Sequence, residues 1–392
     1  MKILFHSNLF PDRKEDYRGQ DNANLLHRLA DFAQVRVIAP RPVLPFFPRR
    51  PVRPREVDAL FQPMFPHYRY IPKVGSAFNH HLLRAAVRRG FLQITGEFQP
   101  DLLLASWAYP DTCGVVPLAL ECGLPVVAVT QGSDVHIHLR MPLRRKLISR
   151  VLSNCQTVIT RSGQLGQLLA DAGVPAQKLR TVYNGVAPEV FHPGCQKNAR
   201  QSLNLLESAS YLLYVGNFYP VKNPFLLLEA LAATQQEVPE RDIRLLMIGE
   251  GPLQGRVEGT IRNLGLSSSA QLLGRKTPEE VAAFMRAANL LCIPSDNEGL
   301  PNVLLEALSC GLPVVSTDVG GIHEVLREKH LGSLVPAGNE TAMASAIAQR
   351  LGTLAERDRI ASFSEQFSWD RTVQTYREIL EAAISRNPPL GA

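Results

Sequence analysis

The stretch Ser295-Asp296-Asn297-Glu298-Gly299-Leu300-Pro301-Asn302-Val303-Leu304-Leu305-Glu306-Ala307-Leu308-Ser309-Cys310-Gly311-Leu312-Pro313-Val314-Val315 reads as a strand end, a tight turn, a helix, a second turn and a strand. Pro301 suits the first helical turn, where its missing N–H costs nothing. The amides near Gly299 to Asn302 then face the crevice at the carboxyl edge of a sheet, which makes a phosphate site. Glu298 and Glu306, eight residues apart, bracket the turn. Carboxylates accept hydrogen bonds from hydroxyls, so an anion site flanked by two of them suits a diphosphate set between two polyhydroxy groups. A nucleotide sugar has that form. The alternative is that both acids merely favour the helix N-terminus.

Working outward, the same alternation recurs on both sides of this stretch. Ser210 to Gly216 opens a series of short apolar strands, continued by Arg244 to Ile248, Gln271 to Leu273, Leu290 to Pro294, Pro313 to Thr317 and Ser333 to Pro336, with helical patterns between them. Upstream, Lys2 to His6, Val35 to Ala39, Asp101 to Ala105 and Pro125 to Thr130 read as buried strands of a parallel sheet. A chain of 392 residues is too long for one ordinary domain. The reading is therefore α/β with two Rossmann-like lobes, residues 1–190 and 191–369, and a C-terminal helix and tail over 370–392.

Composition is that of a globular protein, 45% hydrophobic and 20% charged. The charge is uneven: residues 1–190 hold 24 Lys and Arg against 14 acids, and residues 191–392 hold 18 against 22. That bias suggests an anionic partner for the N-terminal lobe, such as a lipid surface or a phosphorylated acceptor, with ordinary solvated arginine as the alternative. Nucleic acid is not expected, because no recognition module accompanies the basic residues. The six cysteines form no C-x-x-C pair, which suits buried free thiols in a reducing compartment. Neither a signal peptide nor a transmembrane stretch is expected, and the chain reads as cytoplasmic or peripheral on the cytoplasmic membrane face.

Three basic segments bear on that last point. Six prolines between Pro40 and Pro54 adjoin Phe46, Phe47, Arg49, Arg50, Arg53 and Arg55, which predicts an extended, partly mobile loop able to rest on a membrane or an acceptor, or a disordered excursion. Residues 80–91 and 140–150 have helical spacing with Arg84, Arg88, Arg140, Arg144, Arg145, Lys146 and Arg150. Each is either a helix lying on anionic lipid or a core helix with a basic solvent face.

The motif E-x7-E within E-G-L-P-N-V-L-L-E-A-L-S-C-G-L-P-V-V resembles that of the retaining glycosyltransferases of family 4. Val215-Gly216-Asn217 with Lys222-Asn223, Ile248 to Pro252, Leu273-Gly274-Arg275, Gly320 to Glu324 and Gly332 to Gly338 follow in the family's order. The resemblance implies a GT-B fold with the two lobes facing a central cleft and the last helix crossing back to the N-terminal lobe. It implies a sugar nucleotide, UDP- or GDP-linked, held mainly by the C-terminal lobe as co-substrate, with no other cofactor and no metal. Transfer would be to a hydroxyl of a lipid-linked or polysaccharide acceptor, in cell-surface glycan synthesis, with retention at the anomeric carbon.

Residue by residue, the resemblance places Glu298 on donor-sugar hydroxyls, the Gly299, Leu300 and Asn302 amides beside Pro301 on sugar and diphosphate, and Glu306 on the ribose. Lys222 would neutralise the leaving diphosphate, with Gly216, Asn217 and Gly251 beside it and Arg275 and Lys276 near the base. Glu298, Lys222 and Asp134 are the catalytic candidates. On the acceptor side stand Gly19, Gln131, Gly132, Ser133 and His136. Two departures stand out: Asn217 occupies a place where the family often has Arg, and Gln131 replaces a usual histidine, with His136, two residues past Asp134, either compensating for it or a plain surface histidine.

Rival readings are weaker. Gly249 to Gln254 starts like a dinucleotide fingerprint but puts Gln254 where the third small residue belongs. A sugar-nucleotide epimerase, or a non-catalytic binding protein with the same two lobes, remains the alternative.

Overall fold

The computed structural model describes residues 1–48, 50–72 and 77–385. Arg49 of the proline-rich segment and residues 386–392 of the expected tail lie outside them. The chain forms two compact units, one from Met1 to Tyr183 joined by the segment from Thr372 onward, the other from Asn184 to Arg371. The first crossing falls at Tyr183–Asn184, ahead of residue 190. The residues just after it belong with the second unit: the Val186 N–H donates to the Phe367 carbonyl at 2.8 Å and Phe191 is buried.

The first unit contains β1 (Lys2–His6), β2 (Gln34–Ile38), β3 (Arg41–Val43), β4 (His67–Arg69), β5 (Leu102–Ser106), β6 (Val126–Thr130), β7 (Thr157–Thr160) and β8 (Leu179–Thr181). Six of these make a parallel sheet in the order β2-β1-β5-β6-β7-β8. β5 and β6 are buried along their whole length, as strands covered on both faces must be, which is why they read as unbroken apolar runs. β7 and β8 escape a sequence reading because one has Thr at both ends and the other is a largely exposed Leu-Arg-Thr edge.

Residues 80–91, read either as a helix on anionic lipid or as a core helix with a basic solvent face, are the middle of a helix over Asn79–Phe98 that buries Leu83, Val87, Phe91 and Ile94, as a core helix does. Two of its arginines are engaged inside the unit: Arg84 donates to the Gly114 carbonyl at 3.1 Å and Arg88 pairs with Glu121 at 2.7 Å. Truncating Phe91 to Ala would cost about 3–5 kcal/mol through lost burial and the cavity left behind. The proline-rich segment is also more ordered than expected at its start. β3 pairs in parallel with β4, Pro42 sitting in this two-stranded ribbon where its missing N–H is tolerated.

The second unit holds β9 (Ser210–Val215), β10 (Ile243–Ile248), β11 (Ala270–Gly274), β12 (Leu290–Ile293), β13 (Val314–Thr317) and β14 (Gly332–Val335). Its parallel sheet has the order β11-β10-β9-β12-β13-β14, the doubly wound arrangement in which the strand order reverses between β9 and β12. The last helix, Trp369–Ser385, starts in this unit and continues from Thr372 in the first. There Tyr376 is fully buried with the Arg161 guanidinium 5.7 Å from its ring centre, and the Thr372 hydroxyl donates to the Tyr183 carbonyl at 3.2 Å.

Candidate functional site

The reversal between β9 and β12 brings two loops together in the second unit. From β9 runs Gly216 to Lys222, and from β12 runs Pro294 to Pro301 into the helix Asn302–Ser309. The Lys222 ammonium lies 2.6 Å from Glu298 Oε1, and the Ser295 hydroxyl donates to the same oxygen at 2.7 Å. Ser295 is itself held by the Thr317 hydroxyl, which donates to its carbonyl at 2.6 Å. Beside this pair the Asp296 N–H donates to the Val221 carbonyl at 2.9 Å and Asn223 Nδ2 to Asp296 Oδ1 at 2.9 Å, so the loops are stitched at two levels.

Exposure divides the pair. The Glu298 side chain is 9% exposed and that of Lys222 31%. Both bonds to Glu298 fall on Oε1, so Oε2 keeps its capacity to accept from a hydroxyl. The ammonium carries three donors and gives one to Glu298, keeping two for an anion. Tyr214, stacked on Phe218 beneath these loops, has its phenol pushed up by burial and then by the negative charge of Glu298.

Glu298 is also wedged in place from behind. Gly320 adopts a φ of +62°, and a Cβ there would meet the Glu298 carbonyl oxygen at 2.1 Å. The Gly321 N–H donates to the Gly299 carbonyl at 2.5 Å. Only glycine fits this approach, which holds the Glu298–Gly299 turn against the segment after β13.

The helix begins at Asn302 with buried Pro301 as its N-cap residue, and no side chain caps its first turn. Its leading amides are thus suited to an anion. Asn302 Oδ1 accepts from Asn184 Nδ2 at 2.8 Å, a contact invisible to spacing because the two are 118 positions apart. Gly299, Leu300 and Glu306 are half-buried around this turn. Gly216 and exposed Asn217 lead out of β9, and Gly251 stands against the Phe218 backbone. Arg275 is exposed just past β11, and Lys276 pairs with Glu280 at 3.2 Å.

The residues expected on the acceptor side all lie in the first unit. Gly19, at φ +66°, caps the helix Gln20–Leu29, and a Cβ there would strike the Leu9 backbone at 2.2 Å. Gln131 is tied inward: its Nε2 donates to Ser106 Oγ at 2.9 Å and Asn22 Oδ1 at 3.2 Å, and its Oε1 accepts from Arg161 Nε at 3.3 Å. Gly132 and exposed Ser133 lead into a single helical turn that contains half-buried His136.

Asp134 differs from its expected part. It is fully buried, Oδ2 accepting from the Ala108 N–H at 2.7 Å and Oδ1 from the Gln131 and Gly132 N–H groups at 3.0 and 2.8 Å. Burial pushes its pKa up, against those hydrogen bonds. Both oxygens hold the turn after β6, so the geometry is that of a positioning residue.

Sequence reading missed Asn8 and Asp111. The Asn8 N–H and Nδ2 donate to the two Asp111 oxygens at 2.5 and 2.6 Å, which ties the loop after β1 to the segment after β5. Burial raises the Asp111 pKa to about 7 and lowers that of neighbouring His6 to about 3. An isolated Asp inside an apolar run is the one available signal for it.

All six cysteines are free thiols, four of them buried and Cys195 exposed. Among the described residues no helix is long and apolar enough to cross a membrane, and no group of three or more His, Cys, Asp or Glu is placed to hold a metal ion.

Comparison with known proteins fits this geometry. Residues 22–190 match the model described as Glycosyltransferase Family 4, and residues 196–366 the model described as Glycosyl transferases group 1. An uncharacterised glycosyltransferase of Methanocaldococcus jannaschii is 28% identical over 72% of this chain and 75% of its own length. A D-inositol 3-phosphate glycosyltransferase of Gordonia bronchialis is 30% identical over 72% of this chain and 65% of that relative. Among solved structures, HepE of Anabaena in complex with UDP superposes with a TM-score of 0.77 at 18% identity, covering 97% of this chain and 100% of that one, a likeness of fold.

Proposed function

Because the chain belongs to the family 4 glycosyltransferases with the GT-B fold, we propose that it moves a sugar from a nucleotide-sugar donor to a hydroxyl of a lipid-linked or polysaccharide acceptor, with retention at the anomeric carbon. The observation that carries this reading is the Lys222–Glu298 pair, 2.6 Å apart at the reversal of the second sheet and beside an uncapped helix start. Lys222 meets the negative charge that grows on the departing diphosphate. Glu298 Oε2 holds a donor-sugar hydroxyl, the Gly299 to Asn302 backbone faces the diphosphate, Glu306 takes the ribose, and Arg275 and Lys276 flank the base.

In this reaction the bond from the anomeric carbon to the phosphate oxygen breaks as the acceptor oxygen bonds to that carbon on the same face. The hydroxyl proton passes to the departing phosphate oxygen. Nothing covalent is asked of the protein, which contributes orientation and charge stabilisation. Neither metal nor cofactor enters this scheme, and loss of turnover on chelation would exclude it. UDP as the nucleotide is supported by its presence with HepE.

The first unit carries the acceptor side, and a peripheral site at an anionic membrane is part of the reading. Ile137, Met141 and Leu143 are exposed beside Arg140, Arg145 and Lys146 around the helix Pro142–Ser153, an amphipathic patch suited to lipid headgroups.

The test is thermal stabilisation of the purified protein by UDP-, GDP-, ADP- and CDP-sugars, with Glu306→Ala alongside. One nucleotide class should stabilise the wild type and fail with the variant. No shift with any of them at saturation would remove the donor site.

A further inference from the structure

Beyond the carboxyl ends of β1 and β2, the first unit carries an open cavity of about 670 Å³ that the donor chemistry does not use. Its walls are the loop after β1, strand β3 and the proline-rich segment that follows it. Six cationic side chains line it against the two carboxylates Asp12 and Glu15. Those carboxylates are already engaged: Asp12 Oδ2 accepts from buried Arg41 at 3.1 Å, and Glu15 from Arg18 at 2.8 Å. Arg41 and Arg18 also donate to the Asn8 carbonyl, so both build the wall. Arg13 is paired with Glu56.

Lys14, Arg50 and Arg53 remain. All three are exposed, and among the described residues none has a carboxylate partner. Three uncompensated cations around a concave wall focus a positive potential into it. Two are arginines, whose planar fork matches phosphate oxygens. An uncharged glycan would leave all three without a use. Apart from His67 the rest of the lining is apolar, with Val43, Leu44 and Phe47, and Phe46 beside them is 98% exposed.

We propose that this cavity binds a phosphate ester, the phosphate held by Lys14, Arg50 and Arg53 and its substituent lying along Val43, Leu44 and Phe47. As the anchor of an acceptor the site rests on the glycosyl-transfer reading, and as a phosphate site it does not. The shared chemistry belongs equally to a lipid-linked diphosphate and to a soluble sugar or polyol phosphate.

The full chain is titrated calorimetrically with farnesyl diphosphate below its micellar concentration, with glycerol 3-phosphate, and with farnesol as the uncharged control, at low and high salt. Three proteins are compared: wild type, the triple variant Lys14→Gln, Arg50→Gln, Arg53→Gln, and Lys222→Ala. At least one phosphate probe should show a binding event in the wild type that weakens about tenfold or more and loses its salt dependence in the triple variant and that persists in Lys222→Ala, where any second event at the donor site is removed. Preference for farnesyl diphosphate assigns a lipid-linked source; equal binding of glycerol 3-phosphate assigns a soluble one.

The proposal is overturned if neither phosphate probe binds, if farnesol binds as well as its diphosphate, or if the triple variant binds like wild type. It is also overturned if binding is lost in Lys222→Ala and kept in the triple variant, which would put the phosphate in the second unit. The three residues are exposed, so the triple variant should melt with wild type; should it not fold, Arg50→Gln alone gives the same test with a smaller change. If no nucleotide sugar stabilises the protein while the triple variant still loses the phosphate probe, the donor reading fails and the cavity stands.

Discussion

Between β9 and β12 the crevice holds a Lys222–Glu298 pair whose ammonium side is 31% exposed, whereas between β1 and β5 the matching position holds Asn8 bonded to a fully buried Asp111. Both sheets are parallel and six-stranded, and both bring a loop from their first strand against one from the neighbour across the reversal. The same topology therefore delivers polar groups to the same place and lets their surroundings set their use. In the second unit charge is kept within reach of a ligand. In the first it fixes the loop after β1, and the cations left for a ligand lie further out, beside β3.

The comparison can be broken most directly at the exposed pair. Lys222→Ala should lower kcat by about 10²- to 10³-fold, the size seen when one stabilising donor is removed, with the melting temperature nearly unchanged. Initial rates and melting curves check both halves. Unaltered turnover in a folded variant would take Lys222 out of the site.

Asp134 tests the opposite expectation for a buried carboxylate. Asp134→Ala leaves the Ala108, Gln131 and Gly132 amides without their acceptor and should destabilise the first unit by about 3 kcal/mol or more. Chemical denaturation followed by hydrogen exchange locates the loss. A variant as stable as wild type with abolished turnover would make Asp134 catalytic after all.

A smaller effect sharpens the reading of the buried Asn8–Asp111 pair. Asp111, with its pKa raised to about 7, keeps a proton in the folded chain that the unfolded chain releases near pH 4, so its contribution to stability falls as pH rises through that window. His6, lowered to about 3, takes up a proton only on unfolding, so its contribution rises with pH up to about 6.5. The two slopes oppose each other. Asp111→Asn removes one and should make the first unit lose about 1–3 kcal/mol more than wild type on going from about pH 6.5 to about pH 4.5, read from urea midpoints. Parallel curves for the two proteins would mean that Asp111 is ionised throughout.

Much of the second unit was legible from residue order alone. Short apolar runs such as Ser210 to Gly216, bounded by turn residues and rich in Tyr and Val, read as strands buried on both faces, and Glu298-Gly-Leu-Pro before a helical pattern is local turn and helix-start chemistry. Lys222 and Glu298 were both named from the sequence, but their bond at 2.6 Å joins positions 76 apart and needed the strand order to close it. The turn after β6 was less legible. Asp134 sits in the expected turn, yet its role depends on how deeply three backbone amides bury it.

What the sequence determined by itself was the alternation of strand and helix, the two-lobed α/β class and the turn that leads from Glu298 into a helix start, because these rest on neighbours a few positions apart. The tertiary structure alone decided which charges are available. Arg84 and Arg88, basic on paper, are engaged by Gly114 and Glu121, while Lys14, Arg50 and Arg53 line a cavity whose two carboxylates, Asp12 and Glu15, are taken by Arg41 and Arg18. A charge's use depends on the dielectric and the partners around it, and those are assembled from segments distant in the chain.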